Sequence, residues 1–204
     1  MTLSPDQIVP TATPPTSALP ADQRPPGFAL AVDDDLALLL RAPHLAARMF
    51  ALQSADKDRL AQWATDEMSE QSVRDGAAAA LAGFAAGRVV PTCICWRGEI
   101  VGAASARLDA WSGSAELGYF ISADCEGRGL VTRSVRALID YVAAVHDVQR
   151  CDIQAAVGNT RSLAVAERLG FHREGVLRSA WSVGELPRVD AAIYGLPMTE
   201  RPWI

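Results

Sequence analysis

The stretch "CEGRGLVTRS", residues 125–134, places two glycines around an arginine, immediately before apolar residues at helical spacing. Gly127 and Gly129 leave the backbone amides unobstructed, and the first turn of a helix has amides without intrahelical partners. Those amides and the positive end of the helix dipole suit a phosphate group. On its spacing alone, the segment is either a phosphate-binding turn or a turn that only redirects the chain.

Two familiar phosphate-binding patterns do not fit this stretch. The Walker pattern requires a lysine before a serine or threonine, and the stretch contains no lysine. The dinucleotide fingerprint requires a third glycine for close packing of helix on strand, and Thr132 occupies that position. The turn therefore belongs to neither class.

Composition indicates one globular domain. The chain has 204 residues, of which 50% are hydrophobic and 21% are charged, with a net charge of −5. The acidic balance argues against a nucleic-acid partner, because phosphate contacts need a basic surface. No apolar run reaches the roughly 18 residues of a membrane helix, and no signal-peptide pattern opens the chain. We therefore expect a cytoplasmic protein with neither nucleic acid nor membrane as a partner.

The cysteines and histidines predict no metal site. Four cysteines and three histidines follow no zinc-ligand spacing. Cys93 and Cys95 would share one face of a strand, and we interpret the cysteines as reduced thiols of the core.

The element pattern predicts an α+β domain with a mixed sheet. Residues 1–27 carry seven of the twelve prolines and predict a proline-rich arm before a domain at 28–204. The order that follows is strand, two helices, three strands, helix, strand, helix and two strands. The predicted segments are 36–42, 44–64, 70–88, 89–98, 99–110, 115–122, a helix from 130, 150–158, 159–171, and two strands within 174–196.

Four motifs in this order resemble the GNAT superfamily of acyl-CoA-dependent N-acetyltransferases. They are "AELGYFI" (115–121), "EGRGLVTRSVRALIDYV" (126–142), "AAVGNTRSLAVAERLGFHREG" (155–175) and "MTERPW" (198–203). Within the superfamily they are similar to the ribosomal-protein alanine/serine acetyltransferase group. The resemblance implies a single-domain GNAT fold with a mixed, mostly antiparallel seven-stranded sheet and helices on both faces. It also implies acetyl-CoA as cosubstrate, no metal, an amine acceptor and a possible homodimer.

The resemblance also implies where acetyl-CoA binds. The pantetheine arm would lie along Glu116–Ser122, a strand opened from its neighbour at a bulge. Backbone amides near Phe120 and Ile121 would receive the pantetheine and thioester oxygens, although "YFI" also fits an ordinary core strand. The predicted cofactor-binding residues are Phe120, Ile121, Glu126, Gly127, Arg128, Gly129, Leu130, Val131, Thr132, Asn159 and Ser162.

The glycine-rich turn departs from the superfamily pattern at two positions. The pattern favours Gln or Arg, two residues, Gly, one residue, then Gly or Ala, and here Glu126 and Val131 take the first and last places. Turns similar to this one occur in the ribosomal-protein group. A glutamate would repel pyrophosphate if it pointed inward, so we expect Glu126 to face outward, with Arg128 or Arg133 supplying positive charge.

Two residues are candidates for proton transfer. Ser162 matches the hydroxyl that the ribosomal-protein group places near the CoA sulfur, so it is the candidate general acid. Glu116 could accept a proton through water, or it could simply be a strand-edge carboxylate paired with an arginine. Trp181 occupies a place where some relatives have an acid, and Glu185 follows in a turn. Asn159 fits both a pantetheine contact and a helix cap.

Two functions remain open at this point. The first is direct transfer of an acetyl group, in a ternary complex, to a primary amine of a protein N-terminus or a small molecule. The second is an acyl-CoA-binding module without catalysis, which the uncertain base would explain. Trp63, Trp111 and Trp181 fit either an acceptor groove or the core.

Overall fold

A computed structural model describes residues 28–60, 69–181 and 187–203. The proline-rich arm, Trp63 and Glu185 lie outside these residues. The strands are β1 (Ala29–Ala31), β2 (Leu36–Leu40), β3 (Val89–Trp96), β4 (Glu99–Asp109), β5 (Ser114–Ile121), β6 (Arg150–Ala156), β7 (His172–Trp181) and β8 (Val189–Pro197). The α-helices are α1 (Ala46–Ala55), α2 (Lys57–Leu60), α3 (Glu70–Ala85), α4 (Leu130–His146) and α5 (Thr160–Arg168).

The strands form one mixed sheet in the order β1-β2-β3-β4-β5-β6-β8-β7. Every neighbouring pair is antiparallel except β5 and β6, which run parallel. The described strands number eight rather than the predicted seven. The additional strand is β1, which pairs with β2 because the turn between them closes with Val32 N–H and Asp33 N–H donating to Leu36 O.

The first predicted helix, 44–64, is not continuous over its described part. α1 ends at Ala55, and Asp56 leaves the helical conformation with φ −106° and ψ 19° before α2 begins. The Asp56 carboxylate accepts the Ala123 N–H at 2.9 Å. A tertiary contact to the end of β5 therefore competes with the helix at this point.

The helices cover the two faces of the sheet unequally. α4 and α5 pack on one face, where Val135, Leu138 and Val142 of α4 are buried. On the other face, a smaller cluster includes Met49 of α1 and Val73 of α3. The apolar stripe of α4 thus supplies the larger core and fixes the position of its first turn.

The last described residues fasten α4 to the rest of the domain. Asp140 of α4 accepts hydrogen bonds from Arg201 Nη1 and Trp203 Nε1, each at 2.9 Å. Pro202 lies so close to Gly170 that a Cβ on the glycine would approach a ring carbon of the proline to 2.9 Å.

Among the described residues, no helix has the length and apolar character to cross a bilayer.

Replacing Leu138 by alanine tests the main core. Leu138 is fully buried in α4, so Leu138→Ala should lower the free energy of unfolding by about 2–5 kcal/mol through lost burial and a residual cavity. Val145→Ala is the matched control, because Val145 lies on the same helix and is 47% exposed. Denaturant unfolding of both variants measures the difference; equal losses would contradict this assignment of the core.

Candidate active site

The sheet opens between β5 and β6. Their parallel ladder contains only the pairs from Ser114↔Arg150 to Leu117↔Ile153, although β5 continues to Ile121. β5 stays paired with β4 without a register shift, so the opening does not arise at the expected bulge. The register shift in this part of the sheet lies between β3 and β4, at Ile94 and Cys95. The gap forms because β5 stays paired with β4 and β6 stays paired with β8, and these two antiparallel pairs diverge.

The register decides which backbone groups face the gap. Ser122 N–H donates to Val101 O at 2.8 Å, and hydrogen-bonded pairs alternate along an antiparallel ladder. Phe120, two residues earlier, therefore directs its N–H toward β4. Tyr119 and Ile121 direct theirs toward the gap. Of the two predicted amide donors only Ile121 has this orientation, and Tyr119 takes the place expected for Phe120.

The glycine-rich turn leads from β5 into α4. Gly127 and Gly129 have φ values of +72° and +71°, which L side chains rarely adopt. An added Cβ would meet nothing within 4 Å at either position, so backbone conformation rather than close packing favours glycine here. The left-handed Gly129 caps α4, whose first-turn amides are oriented as anion donors.

A cleft of about 1120 Å³ follows the gap and the turn. It is lined by residues of β5, the turn and the first turns of α4 and α5, together with Gln53, Arg59 and Leu60. The predicted cofactor-binding residues that line it are Phe120, Ile121, Glu126, Gly127, Gly129, Leu130, Val131, Thr132, Asn159 and Ser162. Arg128 is not among the lining residues, since its guanidinium lies over the Trp96 ring at 5.2 Å from the centroid.

Asn159 and Ser162 lie at the start of α5, and both line the cleft. Asn159 Oδ1 accepts the Ser162 N–H at 3.2 Å, which confirms the predicted cap and leaves the amide NH₂ group of Asn159 for a further contact. Ser162 Oγ lies 3.1 Å from the Tyr119 hydroxyl, and either oxygen can donate. Two hydroxyl groups therefore meet beside the gap.

Burial fixes the protonation state of Tyr119. Desolvation raises the pKa of its phenol to about 12, although the hydrogen bond to Ser162 acts in the opposite direction. Tyr119 is consequently a neutral hydrogen-bond donor at neutral pH. In the sequence, Tyr119 is distinguished only by its place in a predicted strand.

Glu126 faces guanidinium groups rather than the turn amides. Its carboxylate pairs with Arg59 Nη1 at 2.9 Å and with Arg161 Nε at 3.5 Å. Glu126 lines the cleft, with a side chain that is only 27% exposed, so the expected outward orientation is not what the structure shows; the compensating charges come from these two arginines. Arg133 pairs instead with Asp33.

Glu116 lies outside the cleft. Together with Asp152 and Gln154 it lines a second depression, of about 710 Å³, on the face of the sheet opposite α4. Its carboxylate forms an ion pair with Arg107 on β4, which is the alternative that the sequence left open. Trp111, 95% exposed, stands at the rim of the same depression.

Three of the four cysteines, Cys93, Cys95 and Cys151, are buried in the core as expected, and Cys125 is half-buried. All four are free thiols. Burial raises the pKa of Cys93 to about 12 and that of Cys95 to about 11, so both stay protonated at neutral pH. Cys125 lines the cleft. Within the described part of the chain, no three His, Cys, Asp or Glu side chains form a metal-binding group.

Arg59 and Arg161 were missed by the sequence analysis. Arg59 contacts Glu126 across 67 positions of sequence, and no local pattern signals such a contact. Arg161 lies within the quoted "GNTRS" but carries no distinguishing spacing. In the sequence, Arg161 cannot be distinguished from an arginine on the solvent-facing side of a helix.

Comparison with known proteins identifies the family. A model of the acetyltransferase (GNAT) domain matches residues 37–172. Over 187 residues the chain is 32% identical to "Putative ribosomal N-acetyltransferase YdaF" of Bacillus subtilis (strain 168), covering 86% of this chain and 97% of that protein.

Two solved structures share the fold. The RimL ribosomal L7/L12 α-N-protein acetyltransferase has a TM-score of 0.80 at 23% identity, covering 85% of this chain and 98% of that one. The microcin C7 self-immunity acetyltransferase MccE, solved with acetyl-CoA and AMP, has a TM-score of 0.77 at 24% identity, covering 82% and 94%. From the matched domain and the full-length relative, the chain belongs to the GNAT acetyltransferase family.

Proposed function

We propose that the chain transfers the acetyl group of acetyl-CoA directly to the α-amine of a protein N-terminus. One observation carries this proposal: β5 and β6 separate after Leu117, and the cleft on the α4 face follows the unpaired end of β5, while a polar depression lies on the opposite face of the same two strands. A thioester bound in the cleft can reach through the gap to an amine on the other side. No acyl-enzyme is needed when both substrates are bound together.

The donor contacts follow from the lining of the cleft. The glycine-rich turn and the first-turn amides of α4 hold the pyrophosphate. The pantetheine arm lies in the gap, where Tyr119 and Ile121 offer backbone groups and Asn159 offers its amide. These are the groups that a long, polar and flexible cosubstrate requires.

The reaction needs one proton for the leaving group and one proton acceptor for the amine. The amine nitrogen attacks the thioester carbon, the C–S bond breaks, and the Ser162 hydroxyl donates its proton to the departing thiolate. Tyr119, hydrogen-bonded to Ser162 and protonated at neutral pH, passes its proton to Ser162 and regains one from solvent in the cleft. The proton of the amine leaves through water toward Glu116.

Glu116 is poorly placed as a proton acceptor, and this favours an α-amine as the substrate. Glu116 is ion-paired with Arg107 and is separated from Tyr119 by three residues of strand, about 10 Å. An α-amine has a pKa of about 7.7–8.0, whereas a lysine amine has about 10.4, so only the former is substantially neutral near pH 7.5. The name of the Bacillus relative supports a ribosomal protein as acceptor.

An acceptor screen tests this function. Peptides carrying a free N-terminus and an internal lysine should gain one acetyl group at the N-terminus when incubated with acetyl-CoA. Mass spectrometry locates the group, and the same peptides with a blocked N-terminus are the controls. Acetylation of lysine alone would contradict the acceptor assignment, and binding of acetyl-CoA without turnover across a broad amine panel would favour the binding module.

Ser162→Ala separates catalysis from donor binding. Loss of the general acid should lower kcat by about 10²-fold or more, while the Kd for CoA stays nearly unchanged. Thr160→Ala is the control, since Thr160 is exposed in the same first turn of α5 and does not line the cleft. Steady-state kinetics and calorimetry measure the two effects; unaltered turnover would remove Ser162 from the mechanism.

Gly129→Glu tests the pyrophosphate site. A carboxylate beside the turn, on a residue forced to positive φ, should abolish CoA binding in calorimetry. Gly87→Glu is the matched control, because Gly87 has φ +67° and equally open space but lies outside the cleft. Comparable loss in both folded variants would show that backbone strain, rather than the phosphate contact, is responsible.

A further inference from the structure

Glu126 is the residue of the glycine-rich turn that appears least suited to a phosphate site. We propose that it is a positioning residue, which holds Arg59 and Arg161 at the mouth of the cleft so that both face the phosphates of acetyl-CoA. This inference rests on the proposed function, because it takes acetyl-CoA as the ligand of the cleft.

Arg59 is held by three acceptors. Its Nη1 donates to Glu126 at 2.9 Å, and its Nη2 donates to Asp56 and to the Ile121 carbonyl, each at 2.6 Å. These contacts tie α2 to the end of β5 and to the turn. Asp56 also accepts the Ala123 N–H, so the arrangement is fixed from both sides of the loop.

The position of the Arg161 side chain depends on Glu126 more completely than that of Arg59 does. Its side chain is 72% exposed, and its ion pair among the described residues is the one to Glu126. The contact uses Nε, so the two terminal nitrogens of the guanidinium remain for a ligand. Without Glu126, nothing else in the described part of the chain would hold this long side chain over the cleft.

The charges lining the cleft are consistent with an anionic ligand. Among the described residues, four arginines line it, Arg59, Arg133, Arg161 and Arg168, against the single carboxylate of Glu126. Since the Glu126 carboxylate contacts two guanidinium groups, the side chains of Glu126, Arg59 and Arg161 together carry a net positive charge. Its carboxylate is thereby screened from the turn amides.

When Glu126 is removed, two physical effects would change the affinity for CoA in opposite directions. If the carboxylate acts only through its charge, removing it lowers repulsion and tightens CoA binding. If it positions the arginines, removing it means that their side chains must be ordered when CoA binds, and affinity falls. Arginine side chains lose considerable rotamer freedom on ordering, and the negative charge of Glu126 is already offset by the two guanidinium groups that it contacts. We therefore expect positioning to dominate.

The experiment compares Glu126→Ala with Asp124→Ala in the full chain. Glu126→Ala should weaken CoA binding by about three- to tenfold and raise KM for acetyl-CoA, with kcat unchanged. Asp124 lies in the same loop and is exposed, and its side chain makes no ion pair among the described residues. Asp124→Ala should therefore leave the Kd unchanged or slightly lower. Calorimetry with CoA gives both values, and thermal unfolding confirms that both variants fold.

A double-mutant cycle shows whether Glu126 acts through the arginines. The effect of Glu126→Ala should largely disappear in a chain that already carries Arg59→Ala and Arg161→Ala. Tighter or unchanged CoA binding by Glu126→Ala, equal weakening by Asp124→Ala, or a full effect without the arginines would each overturn the inference and leave the proposed function standing. Failure of the unaltered chain to bind CoA would overturn both.

Discussion

The site depends on a competition between strand pairings. β5 keeps its antiparallel ladder with β4 from Asp109↔Ser114 to Gly102↔Ile121, and β6 keeps its ladder with β8 from Arg150 to Ala156. The parallel ladder between them is short and intrinsically a little weaker, so it ends where the two antiparallel neighbours diverge. The separation exposes backbone groups that a regular sheet would have used, and these become the donor contacts.

The two sides of this opening have different chemistry. On the α4 side, buried apolar residues hold the glycine-rich turn and the paired hydroxyls of Tyr119 and Ser162 in place. On the opposite side, the sheet presents charged and polar side chains, among them Glu116 and Asp152, in an open depression. In the proposed reaction, the polyanionic cosubstrate binds on the first face of the sheet and the amine approaches from the second.

Much of this arrangement can be predicted from local sequence. The helix that begins at residue 130, the Asn159 cap and the apolar stripe of α4 are properties of short segments, and the structure has them as expected. The partners of Glu126 could not be predicted, because Arg59 reaches it from another part of the chain. Which amides near Phe120 and Ile121 face the gap could not be predicted, because orientation within a strand depends on the pairing register, which the motif does not encode. The break at Asp56 likewise arises from a contact to β5.

The opening through the sheet also bears on the order of product release. In the proposed reaction, CoA leaves the cleft on the α4 face, whereas the acetylated product leaves the depression beside Glu116 and Asp152. Neither product blocks the exit of the other, so the fold does not require one of them to leave first. An enzyme built in this way can release a large protein product while CoA is still bound, and its rate need not be limited by the slower of two departures through one channel.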